Sequence, residues 1–157
     1  MIAQFQGRFE VKVDPKFRIS LPSEFRDHLK VCKAKNLVIT NGQYQGFKCL
    51  DVYPEFEWQK LEKRISKLPQ LKLEVQAFQR FYLSGGHRLD VDGNSRILIP
   101  PSLRSYAGIQ NQVMLVGFTH KFEIWALDQW NSLFENLAKD FDGTLSVVSN
   151  LFGEADE

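Results

Sequence analysis

The chain contains one motif twice, and this repeat constrains its fold more than any other feature. The first copy runs from Asp14 to Arg26 and the second from Asp92 to Arg104, at a constant offset of 78 residues. Both copies share an Asp, an Arg four residues later, two apolar residues that flank a variable one, a Pro and a final Arg. A chain that carries such a motif twice is expected to fold as two halves built on one plan.

The repeat extends into the apolar positions that follow the motif. With the offset shortened to 72, six positions of the first half align with six of the second: Leu50, Val52, Tyr53, Trp58, Leu61 and Ile65 with Phe122, Ile124, Trp125, Trp130, Leu133 and Leu137. A single half would bury little core and would leave strand edges open. We therefore expect the halves to share one sheet system through interlocked hairpins, with pseudo-two-fold symmetry.

Size and composition fit an ordinary folded protein. The chain has 157 residues, of which 43% are hydrophobic and 25% charged, and this suits one compact domain or two interlocked half-domains. No apolar run approaches the roughly 20 residues that a membrane span requires, and the N-terminal residues do not resemble a signal peptide. These features predict a cytoplasmic protein with no membrane partner.

The two cysteines, Cys32 and Cys49, both lie in the first half. They form neither a spaced pair nor a cluster with histidine, so the sequence predicts neither a structural disulfide nor a zinc site. Their expected role is that of small buried apolar side chains in a reducing compartment.

Charge is unevenly distributed along a chain whose formal net charge is only +1. Residues 1–35 contain eight basic and four acidic side chains, whereas residues 119–157 contain two basic and eight acidic ones. The first copy of the motif therefore lies at the positive end of a dipolar chain. The alternative is that these charges merely solvate the surface.

Alternation of apolar and polar residues predicts a strand, a tight turn and a second strand around each motif. In the first half the strands are residues 7–13 and 17–21, and in the second half they are residues 88–91 and 96–99. A short helix that begins near a proline is expected after each motif.

Each half then continues with two short strands and a longer helix. The predicted strands are residues 37–40, 49–53, 113–116 and 122–125, and the predicted helices begin at Pro54, Leu71 and Leu127. We expect Gly85-Gly86 to join the halves, Asp142-Gly143 to form a turn, and residues 153–157 to form a frayed acidic tail. The predicted domains are residues 1–83 and 84–140, followed by an acidic tail over 141–157.

Motifs for catalysis or cofactor binding are missing from the sequence. The histidines His28, His87 and His120 lie far apart, and none belongs to a motif with a nucleophile or a metal ligand. The sequence contains no Walker-type loop, dinucleotide fingerprint or His-Glu-x-x-His motif. Residues 84–87 follow a helix and are expected to be a linker. We therefore predict no catalytic residue, metal site, cofactor or small-molecule ligand.

The repeated Asp-x-x-x-Arg lies at a predicted turn, where side chains reach outward from a rigid core. Asp14 and Asp92 can accept backbone hydrogen bonds there and can orient Arg18 and Arg96. An arginine side chain is a planar fork that suits phosphate oxygens or guanine O6 and N7. Further phosphate contacts are predicted from basic residues near the turns: Arg8, Lys12, Lys16 and Arg88.

Other interpretations of the motif remain open. The Asp and Arg side chains could pair only to stabilise the turn, although an exposed pair contributes only ~0–1 kcal/mol. The turns could also form protein contacts in a structural oligomer, with Arg18 and Arg96 in interface ion pairs. An enzyme is a weaker alternative. The aromatic residues are predicted to lie in the core or a subunit interface rather than to stack on bases: Tyr53, Trp58, Trp125 and Trp130.

The order of these features resembles the bacterial MraZ proteins. The resemblance covers residues 1 to about 140 and includes both motifs, Val116-Gly117, residues 122–125 and the helices that carry Trp58 and Trp130. It implies an α+β fold of two tandem pseudo-symmetric swapped-hairpin β-barrel half-domains with short helices, as in the AbrB-like DNA-binding proteins. It also implies ring-shaped homo-oligomers that regulate transcription of the division and cell wall gene cluster, including their own promoter.

The resemblance places the family's DNA-binding signature on two residue pairs, Asp14 with Arg18 and Asp92 with Arg96. Members commonly carry Gly just before the Arg, but this chain has Phe17 and Ser95 there. A turn that requires positive φ would have to adjust to these side chains. A ring would place several subunits on double-stranded DNA, so short promoter direct repeats are the expected operator, and the protein is expected to be nucleoid-associated.

Overall fold

The computed structural model describes residues 4–156, which alternate between strands and short helices. The strands are β1 (Arg8–Lys12), β2 (Arg18–Ser20), β3 (Asn36–Tyr44), β4 (Phe47–Pro54), β5 (His87–Asp90), β6 (Arg96–Leu98), β7 (Gln112–Phe118) and β8 (Lys121–Ala126). The helices are α1 (Ser23–Val31), α2 (Glu55–Ser66), α3 (Leu73–Phe78), α4 (Pro101–Ala107), α5 (Leu127–Lys139) and α6 (Phe141–Asp156). A π-helical segment, Gln79–Leu83, continues α3. The predicted α+β class is confirmed.

The two halves share one antiparallel sheet. Its strand order is β1-β7-β8-β4-β3-β5, and β2 pairs with β6 in a separate two-stranded ribbon. The first strand of each half lies beside the third strand of the other half, because β1 pairs with β7 and β5 pairs with β3. At the centre β4 pairs with β8, with Asp51 opposite Glu123. Sharing the sheet reduces the open edges that an isolated half would have.

The two arms of each expected hairpin separate after the turn. A backbone hydrogen bond from Asp14 N to Arg18 O (3.0 Å) closes the first turn. Beyond the turn, β1 pairs with β7 and β2 pairs with β6. Each arm therefore completes a strand pair with the other half. This arrangement brings Ile19 and Ile97 side by side, and both are fully buried in the common core.

Period-two alternation along the central strands buries side chains on both faces of the sheet. On one face, Leu37 and Ile124 belong to a core shared with α1, α4 and the β2–β6 ribbon. On the other face, clusters form around Trp58 of α2 and Trp130 of α5. Burying one large apolar side chain contributes about 1.5–3 kcal/mol, so the two-sided core is the main source of stability.

The aromatic residues of the repeat are core residues, as predicted. Tyr53 and Trp58 pack in one cluster with Val38, and Trp125 and Trp130 pack in the other with Cys49. These clusters lie on the sheet face away from the β2–β6 ribbon, so these aromatic side chains are not available for base stacking. Cys49 is buried and Cys32 half-buried, and both are free thiols.

Helix boundaries follow the proline and glycine signals of the sequence. Pro22, Pro54 and Pro100 directly precede α1, α2 and α4, and each adopts an extended conformation. Gly108 ends α4 in the left-handed conformation, with φ 66°. The glycine linker also lies where the sequence places it, between the π-helical segment and β5.

The C-terminal segment differs from its prediction. Helix α6 runs through Asp142-Gly143, so the predicted turn is wrong, and it continues to Asp156, so the predicted frayed end is also wrong. Asp140 starts the helix, because its carbonyl accepts a hydrogen bond from the backbone N–H of Thr144 at 3.1 Å. An acidic residue is favourable at that end of a helix. Glu157 lies outside the described residues.

None of the helices within residues 4–156 combines the length and apolarity needed to cross a membrane.

Candidate nucleic-acid interface

The Asp14 carboxylate organises the first turn. Its Oδ1 accepts hydrogen bonds from the backbone N–H groups of Lys16 (2.8 Å) and Arg18 (2.9 Å). Its Oδ2 accepts a hydrogen bond from the side-chain Nε of Arg18 at 2.8 Å. The backbone N–H of Phe17 donates to the Asp14 carbonyl at 2.9 Å. One carboxylate therefore fixes both the turn and the direction of the arginine, as the spacing predicts.

The second turn has the same hydrogen bonds. Asp92 Oδ1 accepts from the backbone N–H groups of Asn94 (2.8 Å) and Arg96 (2.9 Å). Asp92 Oδ2 accepts from Arg96 Nε at 3.0 Å. The backbone N–H of Ser95 donates to the Asp92 carbonyl at 3.0 Å. The sequence repeat is therefore also a repeat of geometry.

Phe17 and Ser95 adopt the left-handed conformation that favours glycine. Their φ angles are 61° and 59°. The turn does not adjust to the missing glycine, so that expectation is wrong. The reason is that the hydrogen bonds accepted by Asp14 and Asp92 on either side hold the backbone in this conformation. A left-handed conformation costs a non-glycine residue about 1–2 kcal/mol, and charge-assisted bonds of this kind are strong enough to offset that cost.

The β2–β6 ribbon presents both arginines on one face. Arg18 lies opposite Leu98, and Arg96 lies opposite Ser20. Residues that alternate with buried Ile19 point away from the core, so these four side chains form an outward face, which we call the ribbon face. Strand geometry places the two arginine Cα atoms about 8 Å apart, diagonally across the ribbon.

Sequence reasoning missed Ser20 and Leu98 on the ribbon face. Leu98 is 53% exposed, although it is a large apolar residue within a strand. The signal was available, because both residues follow an arginine of the motif by two positions and so share its side of the strand. Predicting the face would also have required the β2–β6 pairing, which is not a local property.

The electrostatics of the two turns keep the aspartates ionised. The backbone hydrogen bond from Arg18, followed by that residue's side-chain bond and charge, lowers the pKa of Asp14 despite some desolvation. The pKa of Asp92 is lowered in the same way by Arg96. Both carboxylates therefore stay charged and hold their arginines through Nε. Within residues 4–156, the Nη groups of both arginines have no hydrogen-bond partner, so they can donate to an external acceptor.

The remaining predicted contact residues fall into two groups. Lys12 at the end of β1 and Lys16 in the first turn are exposed and close to Asp14 in sequence. Arg8 and Arg88 have partners within the chain. The Arg8 guanidinium lies 4.9 Å from the ring centroid of Phe134 and 5.8 Å from that of Trp130. Arg88 forms an ion pair with Glu55 at the start of α2.

Within residues 4–156, one group of side chains has the ligand atoms of a possible metal site, and it does not belong to the ribbon face. Ligand atoms of Cys49, Asp51 and Glu123 come within 4.8 Å of one another on the inner side of α2 and α5. Lys121 Nζ already supplies a positive charge there, 3.2 Å from Asp51 Oδ2. Burial, followed by the two carboxylates, raises the pKa of the Cys49 thiol and keeps it protonated. The group fits an internal ion pair better than a metal ion.

The fold and the site together define a class of protein. It is an α+β protein of two related halves that exchange strands and present two carboxylate-oriented arginines on one exposed ribbon. The family model described as "MraZ protein, putative antitoxin-like" matches this chain over residues 4–81 and again over 82–144. The chain therefore belongs to the MraZ family, and the resemblance inferred from its motifs is confirmed.

Relatives with the name "Transcriptional regulator MraZ" cover most of the chain. The protein of Pseudomonas aeruginosa strain UCBPP-PA14 is 39% identical over 131 residues, which are 83% of this chain and 85% of the relative. That of Natranaerobius thermophilus is 38% identical over 148 residues, 88% of this chain and 99% of the relative. That of Syntrophomonas wolfei is 34% identical over 147 residues, 94% and 96% respectively.

Proposed function

We propose that this chain is a sequence-specific DNA-binding regulator of transcription that acts through its two Asp-x-x-x-Arg turns. The observation that carries this proposal is the ribbon face, where Arg18 and Arg96 are each oriented by a carboxylate and their Nη groups have no hydrogen-bond partner among residues 4–156. The names of the MraZ relatives support a regulatory role. The proposed role is binding, without a catalysed reaction.

The turns suit DNA because each arginine is held in one orientation before binding. A side chain already fixed by Asp14 or Asp92 loses little conformational freedom on contact, so more of its interaction energy appears as affinity. A guanidinium with free Nη groups can bind a phosphate or the O6 and N7 atoms of guanine. Lys12 and Lys16 then supply nearby phosphate contacts, whereas Arg8 and Arg88 would first have to release internal partners.

We propose a ring-shaped homo-oligomer as the functional form, bound to short direct repeats in promoter DNA. The chain has a net charge of only +1, so a single subunit would bind weakly. Several identical subunits on successive sites make the later contacts intramolecular and raise the overall affinity. The family resemblance points to the division and cell wall gene cluster, with the chain's own promoter among its targets. Such a protein would be cytoplasmic and nucleoid-associated.

We also propose that each half is a swapped-hairpin β-barrel unit of the AbrB type. The exchange of first strands between the halves supports this interpretation. The pairing of β2 with β6 supports it as well, since the second arms of the two motifs then close over a common core.

The deciding experiment is fluorescence anisotropy with a labelled duplex from the region upstream of the chain's own coding sequence. Wild type is compared with Arg18→Ala at two salt concentrations. The matched control is Arg64→Ala, which removes an exposed arginine of α2 on the other face of the sheet. We expect affinity to fall about tenfold or more in Arg18→Ala only, because a specific arginine contact contributes about 1–3 kcal/mol.

The salt dependence of wild-type binding gives a second readout. The logarithm of affinity should fall with the logarithm of salt concentration by about 0.9 per phosphate contact. Elution on a sizing column should be the same for all three proteins. If wild type shows no binding at low salt, or if Arg18→Ala binds like wild type, the proposed function is wrong.

A second candidate is a structural homo-oligomer that uses the same turns for protein contacts. The observation that favours it is Leu98, which is 53% exposed between the two arginines. An apolar side chain at that place suits a protein interface as well as a thymine methyl group. Under this alternative Leu98→Ser changes the oligomer size, whereas under the first proposal it changes only DNA binding.

A further inference from the structure

The two turns differ at the residue just before the motif arginine, which is Phe17 in the first turn and Ser95 in the second. They also differ in what packs beside that residue. In the first turn the Arg104 guanidinium stacks on the Phe17 ring, 3.5 Å from its centroid. Residues 78 positions away occupy the equivalent places in the other half, namely Ser95 for Phe17 and Arg26 for Arg104. Ser95 has no ring. Among residues 4–156, no aromatic ring stacks on Arg26 in the way that Phe17 stacks on Arg104.

An open groove lies at this position. It has a volume of about 690 Å³, whereas the equivalent cavity beside Phe17 and Arg104 has about 370 Å³. We call it the Ser95 groove after one of its lining residues, which also include Arg26, Lys30, Lys33, Lys35, Asp90 and Val91. Four of the lining residues are basic, and only one is acidic. Three of the basic residues lie on α1 and the loop after it, and the fourth, Lys35, directly precedes β3. The groove therefore suits an apolar side chain that is accompanied by carboxylates.

Helix α6 carries such a segment. All its residues up to Ala155 are exposed, and Phe152 is 65% exposed. Phe152 follows Leu151 and precedes Glu154, Asp156 and Glu157 in sequence, and no basic residue occurs after Lys139. A 16-residue helix with an uncovered apolar side is only marginally stable by itself. Another surface is needed to cover it.

We propose that the C-terminal end of α6 docks into the Ser95 groove of a second copy of the chain. Phe152 would then lie beside Arg26 of that copy, as Phe17 lies beside Arg104 within each chain. Glu154 would face the lysines at the rim. This inference rests on the proposed homo-oligomer and names the surfaces that hold it together.

The occupant is a second copy for two reasons. Helix α5, from which α6 extends, packs on β7 and β8, whereas Asp90 and Val91 of the groove lie at the β5 edge of the sheet. The two surfaces thus lie in different parts of the chain. Pairing of α6 with another α6 would bring acidic residues together with no basic residue to offset them. A contact between two different surfaces of identical subunits repeats head to tail, and it forms a ring when the rotation between neighbouring subunits closes.

The test is a double-mutant cycle read out by light scattering on a sizing column over a range of concentrations. The variants are Phe152→Ala, Arg26→Ala and the combination. We expect each single variant to raise the concentration for half-assembly about tenfold or more. The combination should assemble no more weakly than the more affected single variant, because both substitutions remove the same contact. Ser95→Phe should also impair assembly, since its own ring would occupy the groove.

The matched control is Leu71→Ala, which removes an apolar side chain that is 91% exposed outside α6, and it should assemble like wild type. Assembly of Phe152→Ala and Arg26→Ala at wild-type concentrations would overturn the docking while leaving the ring in place. Additive losses in the combination would also overturn it. A monomeric wild type would overturn both the docking and the ring, and the anisotropy measurement tests DNA binding separately.

Discussion

The two halves of the chain reach the same turn backbone with different residues. Phe17 and Ser95 differ in size and polarity, yet their φ angles agree within 2°. What the turns share is the aspartate with its hydrogen bonds and a link to the other half. The backbone N–H of Ile99 donates to the Phe17 carbonyl at 3.0 Å, and that of Leu21 donates to the Ser95 carbonyl at 2.9 Å. The comparison shows that aspartate and strand exchange, rather than glycine, determine this turn.

The halves also differ where they meet at the centre of the sheet. Asp51 and Glu123 are equivalent residues of the two halves and lie opposite each other across the pseudo-two-fold axis. Duplication of an acidic residue at such a position places like charges together. Lys121 lies 3.2 Å from Asp51 and 4.0 Å from Glu123, whereas the equivalent residue of the first half is the uncharged Cys49. The two halves therefore differ at the position where the facing carboxylates would otherwise repel each other without a nearby cation.

The largest effect is expected on folding stability, when Lys121, which has no charged equivalent in the first half, is replaced. Lys121→Met leaves the buried Asp51 facing the partly buried Glu123 without a cation, and should lower the free energy of unfolding by about 3 kcal/mol or more. Burial alone lowers the pKa of Lys121, but Asp51, with help from Tyr53 and Glu123, raises it overall. The lysine is therefore charged in the folded protein. Urea unfolding at neutral pH measures the change.

The matched variant is Lys121→Met combined with Asp51→Asn. The asparagine oxygen can still accept the hydrogen bond that Tyr82 donates to Asp51. Removing one carboxylate should recover more than half of the lost stability. A single variant as stable as wild type would show that the cation does not offset the facing carboxylates.

The next largest effect concerns DNA affinity. Arg18→Ala and Arg96→Ala should both weaken binding, by about 1–3 kcal/mol or roughly 5–150-fold. Arg18→Ala should have the greater effect, since Lys12 and Lys16 flank the first turn while Gly93 and Asn94 occupy the second. Anisotropy titrations with one duplex at one salt concentration provide the comparison. A greater loss of affinity in Arg96→Ala would show that nearby basic residues do not determine which turn contributes more to DNA binding.

Much of the architecture could be predicted because it follows from local rules. Alternation predicted the strands, prolines predicted the helix starts, and an aspartate four residues before an arginine predicted a turn held by side-chain hydrogen bonds. The shared sheet also followed, since an isolated half has too many open edges. The burial of Trp58 and Trp130 followed from helical spacing.

What could not be predicted depends on partners distant in sequence. The pairing of β2 with β6 creates the ribbon face, and no local pattern shows that Leu98 lies between two arginines. The left-handed φ of Phe17 contradicts its intrinsic preference and requires hydrogen bonds from both sides. Helix α6 was predicted as a turn and a tail because Asp142-Gly143 is typical of turns, whereas Asp140 begins a helix here.

A smaller effect distinguishes the two turns directly. Ser95→Gly removes the cost of the left-handed conformation but increases the chain entropy lost on folding, so it should raise the free energy of unfolding by only about 0.5–1 kcal/mol. Phe17→Gly removes the same cost but also the ring that stacks on Arg104, whose Nε is buried and has no hydrogen-bond partner in the described chain. Its net effect should be zero or destabilising. Chemical denaturation of both variants measures the sign of each change in the free energy of unfolding. Equal gains in stability would show that the stacking of Phe17 on Arg104 contributes nothing.

The smallest effect is a dependence of stability on pH. The folded-state pKa values of Asp14 and Asp92 lie below the ordinary value of 3.8. A lowered carboxyl pKa contributes stability that is present above the unfolded value and is lost as the pH falls through the folded one. Asp14→Asn should therefore be less stable than wild type at pH 7. The difference should shrink below pH 3.8, where the wild-type carboxyl also becomes neutral.

Asp92→Asn should show the same trend with a smaller amplitude. The Asp92 side chain is 37% exposed and that of Asp14 is 28% exposed, so solvent screens the second pair more strongly. Unfolding midpoints measured from pH 7 down to pH 3 for wild type and both variants decide the ranking. A constant difference across this range would mean that the carboxylates act only as neutral hydrogen-bond acceptors. The arginines would then be oriented by the turn backbone, and charge would have no part in holding them.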